Sequence, residues 1–208
     1  MALALGLDKA DNLSLASLSA QRNKMAFQFD VASRNAALDA IETTIGASPT
    51  LEIRSGAPPA NCAAADTGTV LATMALPSDW MGNASAGSKA LSGTWQDLSA
   101  DAGGIAGHFR IKSGATCRMQ GLISAPWAGS RAYTLGEQAH NGGNLYRVTT
   151  AGTSASSGGP TGTGASINDG TVTWTFVQAG TDMTIDNTSV AVGQQMNTTS
   201  FTLTAGGA

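Results

Sequence analysis

Apolar and polar residues alternate in short runs along much of the chain, and turn residues separate the runs. This period of two is typical of strands with one buried face. Strands are predicted over residues 51–54, 70–76, 91–98, 108–112, 116–124, 183–185, 190–192 and 201–204. Roughly eight strands at this spacing predict an all-β protein with a β-sandwich or jelly-roll-like core.

One segment has helical periodicity instead. Leu38, Ile41 and Ile45 recur at the spacing of a single helix face, and Ser33 precedes them as a residue suited to cap the first turn. Gly46 stands where a helix commonly ends in a left-handed conformation. The pattern predicts one short helix at one end of the core, with an outward polar face that carries Arg34, Asp39 and Glu42.

A small β-module interrupts the predicted core. Two strand-like runs, 145–149 and 171–177, flank a tract rich in Gly, Ser, Thr and Pro at 151–166. The sequence on either side has the pattern of one continuing domain. We therefore predict an inserted module at 132–178 and a core built from 31–131 and 179–208.

Residues 1–30 have the pattern of an extended arm. Its apolar positions alternate with Ala, Ser and Gly, and they are Leu3, Leu5, Leu7, Leu13, Leu15 and Leu18. Such a segment gains little by folding alone, so we expect a neighbouring subunit to cover these leucines. The alternative is an arm that packs on its own domain.

Composition narrows the classes of partner. Charged residues make up 12% of the chain, about half the usual share, and the net charge is −3. No basic stripe for nucleic acid and no polybasic patch for a membrane is present in the sequence. A surface with few charges favours a protein that is covered within an assembly.

The N-terminal residues also indicate where in the cell the protein is made. The segment 1–7 is apolar but short, lacks a leading Lys or Arg, and meets Asp8 and Lys9 at once. It is a poor signal peptide, and no run approaches the length of a membrane span. We expect synthesis in a cytoplasm.

Two cysteines, Cys62 and Cys117, lie far apart in the sequence. No CxxC motif and no Cys/His cluster at metal spacing occurs, so we expect no metal and no cofactor. A disulfide would form if their strands meet and the protein reaches an oxidising compartment. Two separate buried thiols are the other interpretation.

The sequence contains only weak evidence for a catalytic site. His108 lies in a predicted strand downstream of Ser99 and Asp101, but no GxSxG motif accompanies it. Two pairs of carboxylates have spacing that a glycosidase could use, Asp97 with Asp101 and Asp182 with Asp186. Because neither pair has aromatic neighbours, we interpret them as turn residues. The sequence predicts a protein that is not an enzyme.

Three aromatic residues of the module are candidate sugar contacts. Tyr133, Tyr146 and Trp174 could stack on the apolar face of a glycan. The alternative is that they form the core of so small a module, and Trp174 fits that role best.

Five phrases of the chain have distinctive wording, and they lie at 34–42, 51–62, 76–81, 92–97 and 200–207. They resemble a family of small virion structural proteins of tailed bacteriophages, and the resemblance covers about 33–124 and 181–208. The module is similar to short β-modules of phage tail and head fibres, some of which look like carbohydrate-binding modules.

The resemblance implies a particle component. We expect a capsid decoration or cement protein, located in the virion, that binds the major capsid protein and copies of itself. The alternative is a tail fibre, tip or adaptor protein whose module binds a host surface glycan.

Overall fold

The computed structural model describes residues 28–207. Within this range the protein is all-β with one short helix, which confirms the predicted fold class. The helix, α1, spans Val31–Ile45. The strands are β1 (Thr50–Ser55), β2 (Val70–Ala75), β3 (Ser88–Ala90), β4 (Gln96–Asp97), β5 (Gly104–Ser113), β6 (Thr116–Pro126), β7 (Ala132–Tyr133), β8 (Gln138–Asn141), β9 (Asn144–Thr150), β10 (Gly152–Thr153), β11 (Ile167–Asp169), β12 (Val172–Ala179), β13 (Met183–Ile185), β14 (Ser189–Val190) and β15 (Met196–Thr204).

Strand β6 joins the parts of the structure. Thirteen strands form one branched, mixed sheet, and β7 pairs with β10 in a separate two-stranded ladder. The first part of β6 pairs antiparallel with β5 across a turn at Gly114, whose φ of +59° suits a glycine. Its last residues pair in parallel with β13 and then with β8. The strand therefore leads the chain from the larger part of the sheet into the segment 132–178.

The first turn of α1 is capped by Asp30, so the prediction of Ser33 as the cap is wrong. An oxygen of the Asp30 carboxylate accepts a hydrogen bond from the backbone N–H of Ser33 at 2.7 Å. A negative charge at this end also complements the helix dipole, which an uncharged serine does not. The predicted end of the helix is confirmed, but Gly46 has a φ of +91° and a ψ of 179°, so it does not adopt the left-handed helical conformation expected there.

The buried face of α1 is narrower than the predicted stripe. Leu38 and Ile45 are buried, whereas Ile41 is 38% exposed. Asp39 and Glu42, predicted to face away, instead bind Lys89 of β3 at 2.7 and 2.8 Å. Ile41 and Glu42 lie on opposite sides of the stripe, so the rotation that brings Glu42 to Lys89 turns Ile41 outward.

Lys89 is a buried cation that depends on this pairing. Its side chain is 4% exposed. Burial by itself lowers the pKa of Lys89, but the hydrogen bonds with Asp39 and Glu42 outweigh it and raise the pKa above its ordinary value. The ion pairs thus attach α1 to the edge of the sheet at β3.

The larger hydrophobic core contains a row of aromatic rings. Trp80 packs on Trp95, Trp95 on Phe201 and Phe201 on Phe109, with ring centroids 5.4–5.8 Å apart. Trp80 and its neighbour Met81 fill the core from an irregular segment. The predicted strand at 91–98 is wrong, since only Gln96–Asp97 is a strand there and Trp95 enters the core from a loop.

A second hydrophobic cluster is drawn entirely from the segment between Trp127 and Phe176. Its buried members are Tyr133, Ala139, Tyr146, Val148, Val172 and Trp174. Side chains also tie this segment to the rest of the sheet. Buried Gln138 donates to the backbone oxygen of Gly107 at 2.7 Å, and Arg131 donates to the side chain of Asn187 at 3.1 Å. The domain boundaries at 132 and 178 remain a prediction.

Candidate functional site

An exposed apolar surface lies along the outer side of α1. Phe29, Val31 and Ile41 are 57%, 47% and 38% exposed, and Ala37 and Ala40 between them are also exposed. We call these five residues the helix-side surface. Single exposed apolar residues are ordinary, but Ala37 borders one depression with Ile41 and another with Phe29, and a group of this kind is typical of a binding surface.

Two depressions give this surface its shape. One, of about 450 Å³, lies beside the C-terminal half of α1 and is bordered by Cys117 and Arg118 of β6. The other, of about 260 Å³, lies beside Phe29 and the last residues of the chain. Ala37 borders both depressions. The small side chains of α1 thus leave a groove that larger apolar side chains could fill.

The described chain begins beside this surface. The backbone N–H of Phe29 donates to the oxygen of Gly207 at 2.9 Å, so both ends of the described chain meet here. The arm residues predicted to bind a partner, Leu3, Leu5, Leu7, Leu13, Leu15 and Leu18, lie outside the described residues. Their attachment point is nevertheless fixed at the edge of the helix-side surface.

The aromatic residues proposed as glycan contacts are core residues in the structure. Tyr133 is 2% exposed, and Tyr146 and Trp174 are fully buried. Tyr133 meets Trp174 edge to face with centroids 4.7 Å apart. A sugar cannot stack on a ring whose faces are already covered, so the glycan role of these three residues is a wrong prediction. The small module uses its largest side chains to build a core.

Asp169 organises the polar atoms of this second core, and the sequence analysis missed it. Its carboxylate accepts hydrogen bonds from the indole nitrogens of Trp127 and Trp174 at 2.7 and 3.2 Å, and from the backbone of Ala155 at 2.9 Å. Asp169 is buried. The only sequence signal was an Asp-Gly pair before a strand, which is equally typical of a simple turn.

A cluster of charged residues fastens the loop between β1 and β2 to the sheet. The carboxylate of Asp66 in that loop binds Arg54, Arg110 and Lys112, which lie on β1 and β5. Glu52 binds Arg54 and Lys112 from the other side, both at 2.8 Å. We call these five residues the charge cluster.

The charge cluster holds three buried cations with two carboxylates. Hydrogen bonding to Lys112 lowers the pKa of Asp66, with the nearby charges of Arg54 and Arg110 acting in the same direction. Burial lowers the pKa of Lys112, but its bonds to Asp66 and Glu52 outweigh burial and raise the pKa. The arrangement favours the charged forms of Asp66 and Lys112 near neutral pH, which identifies it as a structural ion network.

His108 and the paired carboxylates have structural partners. The ring Nδ1 of His108 lies 3.0 Å from the backbone oxygen of Gly56, and no hydrogen bond joins His108 to Ser99 or Asp101 within residues 28–207. Asp97 and Asp101 both hold Thr73 of β2, at 2.9 and 2.8 Å. Asp182 and Asp186 accept backbone hydrogen bonds from Leu122 and Asn197, respectively.

Acidification below the ordinary histidine pKa is expected to destabilise the protein. Burial lowers the pKa of His108, and the charges of Arg54 and Arg110 lower it further, while burial lowers that of His140. As pH falls below 6.5, the two histidines therefore bind protons in the unfolded chain before they do so in the folded protein. Each histidine then lowers the free energy of unfolding by at most about 1.4 kcal/mol per pH unit. Urea midpoints should fall between pH 7 and pH 5, and the H108N variant should lose less stability over this interval.

H140N is the companion variant, and it should also lose less stability over this interval because burial lowers the pKa of His140 as well. His140 is less buried and bonds to the hydroxyl of Ser124 at 3.0 Å. Asp39 and Asp66, whose pKa values lie below the ordinary 3.8, titrate at lower pH and do not contribute in this interval. An equal loss of stability in H108N and the wild-type protein would contradict the assignment to His108.

Comparison of the chain with protein-family models, curated proteins and solved structures found no match. Within residues 28–207, no group of three or more His, Cys, Asp or Glu side chains is placed to hold a metal ion. In the same range, no helix is long and apolar enough to cross a membrane. The described residues define an all-β class with one helix, and their exposed apolar residues make the helix-side surface the principal candidate site.

Proposed function

We propose that this chain is a structural protein of a tailed bacteriophage particle, with a decoration or cement role on the capsid. In this proposal it has no enzymatic activity, and it binds the major capsid protein and other copies of itself. The resemblance of several of its phrases to virion proteins supports the proposal. The observation that carries it is the helix-side surface, an apolar groove at the attachment point of a leucine-rich arm.

The helix-side surface and the arm have side chains that are suited to bind each other. The helix-side surface offers exposed Phe29, Val31 and Ile41 around small alanines, and two depressions open beside them. The arm offers apolar side chains that alternate with small residues. Burial of apolar area contributes about 25 cal/mol per Å² before the costs of association. Repetition over a capsid lattice makes a modest affinity per contact sufficient.

A charge placed on the helix-side surface tests this role. We expect I41K to reduce occupancy on purified particles about tenfold, which corresponds to about 1.4 kcal/mol of binding free energy. Ile41 is exposed, so the variant should fold normally. L98K is the matched control, because Leu98 is 67% exposed and lies outside the helix-side surface. Wild-type occupancy of I41K would contradict the proposed docking surface.

Deletion of the arm tests the other half of the proposal. The deletion should end at residue 27, because Asp30 caps α1 and Phe29 bonds to Gly207. We expect the shortened protein to retain its thermal midpoint and to lose attachment to particles. Unchanged occupancy would show that the arm is not a clamp.

A position in the tail is the second candidate role. It rests on the similarity of segment 132–178 to modules of phage fibres. A host glycan would then need a contact other than Tyr133, Tyr146 and Trp174, because those rings are buried. For this reason we favour the capsid role.

A further inference from the structure

We propose that Cys62 and Cys117 form an intramolecular disulfide when the folded protein meets an oxidising thiol–disulfide pair. The two residues are 55 positions apart, yet the thiol of Cys117 donates to the sulfur of Cys62 across 3.0 Å. The inference does not depend on the proposed role in a phage particle.

The backbone on both sides of the pair is already held in place. Cys62 lies in the loop between β1 and β2, and Cys117 is the second residue of β6. Arg110 donates to the backbone oxygens of Cys62 and Ala64 at 2.7 and 3.2 Å. Gln120 of β6 donates to the oxygen of Pro59 at 2.7 Å. A sulfur–sulfur bond is about 2.05 Å long, so the sulfurs need to approach by only about 1 Å, and the anchored loop need not move far.

Two further contacts make the loop a rigid partner for β6. The side-chain oxygen of Asn61 accepts from the backbone of Ala63 and Ala64 at 2.9 and 3.0 Å, which fixes the turn that follows Cys62. Asp66 at the far end of the loop is bound by the charge cluster. The thiols therefore face each other across a preformed contact.

The order of reaction follows from exposure. Cys62 is partly exposed, whereas Cys117 is buried, so the Cys62 thiolate attacks the disulfide of oxidised glutathione first. This step forms a mixed disulfide and releases one glutathione thiolate. The Cys117 thiolate then attacks the sulfur of Cys62, closes the bond and releases the second glutathione thiolate. The protein loses two electrons and two protons, and one glutathione disulfide becomes two thiols.

The reaction should be slow at neutral pH and faster in alkali. Burial raises the pKa of Cys62 to about 11. Because the thiolate is the attacking species, the rate should increase as pH rises toward that value. The disulfide would join the loop between β1 and β2 to β6, and it would restrict the conformations of the unfolded chain.

The test uses the full chain, reduced and then incubated with oxidised glutathione under native conditions. After N-ethylmaleimide treatment in denaturant, the mass should show the loss of two hydrogens and no adduct. The thermal midpoint should rise by about 10 °C relative to the reduced protein. C117A should stop at a stable mixed disulfide on Cys62, because the resolving thiol is gone. The double variant C62A/C117A should show no oxidant-dependent shift.

Several results would overturn the proposal. They are two maleimide adducts after oxidation, two glutathione molecules on one chain, a covalent dimer as the main product, or an unchanged thermal midpoint in the bonded form. Since C62A alters a partly exposed residue, it provides a folded single variant if C117A is unstable. In C62A, buried Cys117 should remain unmodified by glutathione, and rapid modification would also contradict the proposed order.

Discussion

Replacement of Trp174 by alanine is expected to reduce the free energy of unfolding by about 3–5 kcal/mol. The indole is fully buried, packs edge to face on Tyr133, and donates to Asp169. Its removal opens a cavity in a cluster of only six buried residues. Urea unfolding of W174A and the wild-type protein measures the difference.

The control for this substitution is L135A. Leu135 belongs to the same segment but is 65% exposed, so its loss should change the unfolding free energy by no more than about 0.5 kcal/mol. If Trp174 were a surface platform for sugars, W174A would behave like L135A and would lose glycan binding instead. That outcome would contradict the buried role described above.

Neutralisation of Asp66 is the second large effect that we expect. D66N keeps the shape of the side chain but removes the carboxylate shared by Arg54, Arg110 and Lys112. Glu52 is then the only carboxylate left in the charge cluster, and it binds Arg54 and Lys112 but not Arg110. Breaking a buried pair costs about 3–5 kcal/mol, and because the side chain of Asp66 is 35% exposed we expect about 2–3 kcal/mol. The measurement is the urea midpoint at neutral pH.

D79N separates this effect from a general loss of charge. Asp79 is exposed and belongs to no ion pair within residues 28–207, so its neutralisation should leave stability unchanged. Because the pKa of Asp66 is lowered, its carboxylate keeps its charge until the solution is strongly acidic. At a pH low enough to protonate Asp66, the D66N variant and the wild-type protein should be equally stable. Equal midpoints for D66N and D79N would contradict the structural role of the charge cluster.

The strands that the sequence predicted well are those with a clear alternation of buried and exposed positions. The predicted run at 51–54 lies within β1, where Leu51 and Ile53 are fully buried, and the run at 201–204 lies within β15. The run at 91–98 failed because Trp95 enters the core from a loop, whereas Leu98 is 67% exposed. An alternating sequence pattern indicates which side chains are buried. A residue in a loop, such as Trp95, can also be buried, so the pattern alone does not establish a strand.

The charged residues of β1 show why the charge cluster was not predicted from the sequence. Glu52 and Arg54 alternate with Leu51 and Ile53, which favours a polar face in water. The structure instead covers that face with a loop whose Asp66 supplies the missing charge. Such pairing joins residues distant in sequence, and a single chain carries no local signal for it. Ile41 was misplaced for the same reason, since its exposure depends on the contact between Glu42 and Lys89.

The exposed groove also had no signal of its own in the sequence. Residues of α1 such as Ala37 and Ala40 are good helix formers, and nothing in their pattern distinguishes a covered face from an open one. Only the burial of Leu38 and Ile45 shows which side of α1 remains exposed. The arm was conspicuous in the sequence, and the surface beside its attachment point was not.

The measurement that tests the proposed function most directly is the copy number of this chain in purified particles. Quantitative mass spectrometry would compare it with the major capsid protein of the same virions. A decoration role predicts a simple whole-number ratio to the capsid protein, with both proteins equally abundant or nearly so. A few copies per particle would contradict decoration and favour the tail, and absence from the particles would contradict a virion role altogether.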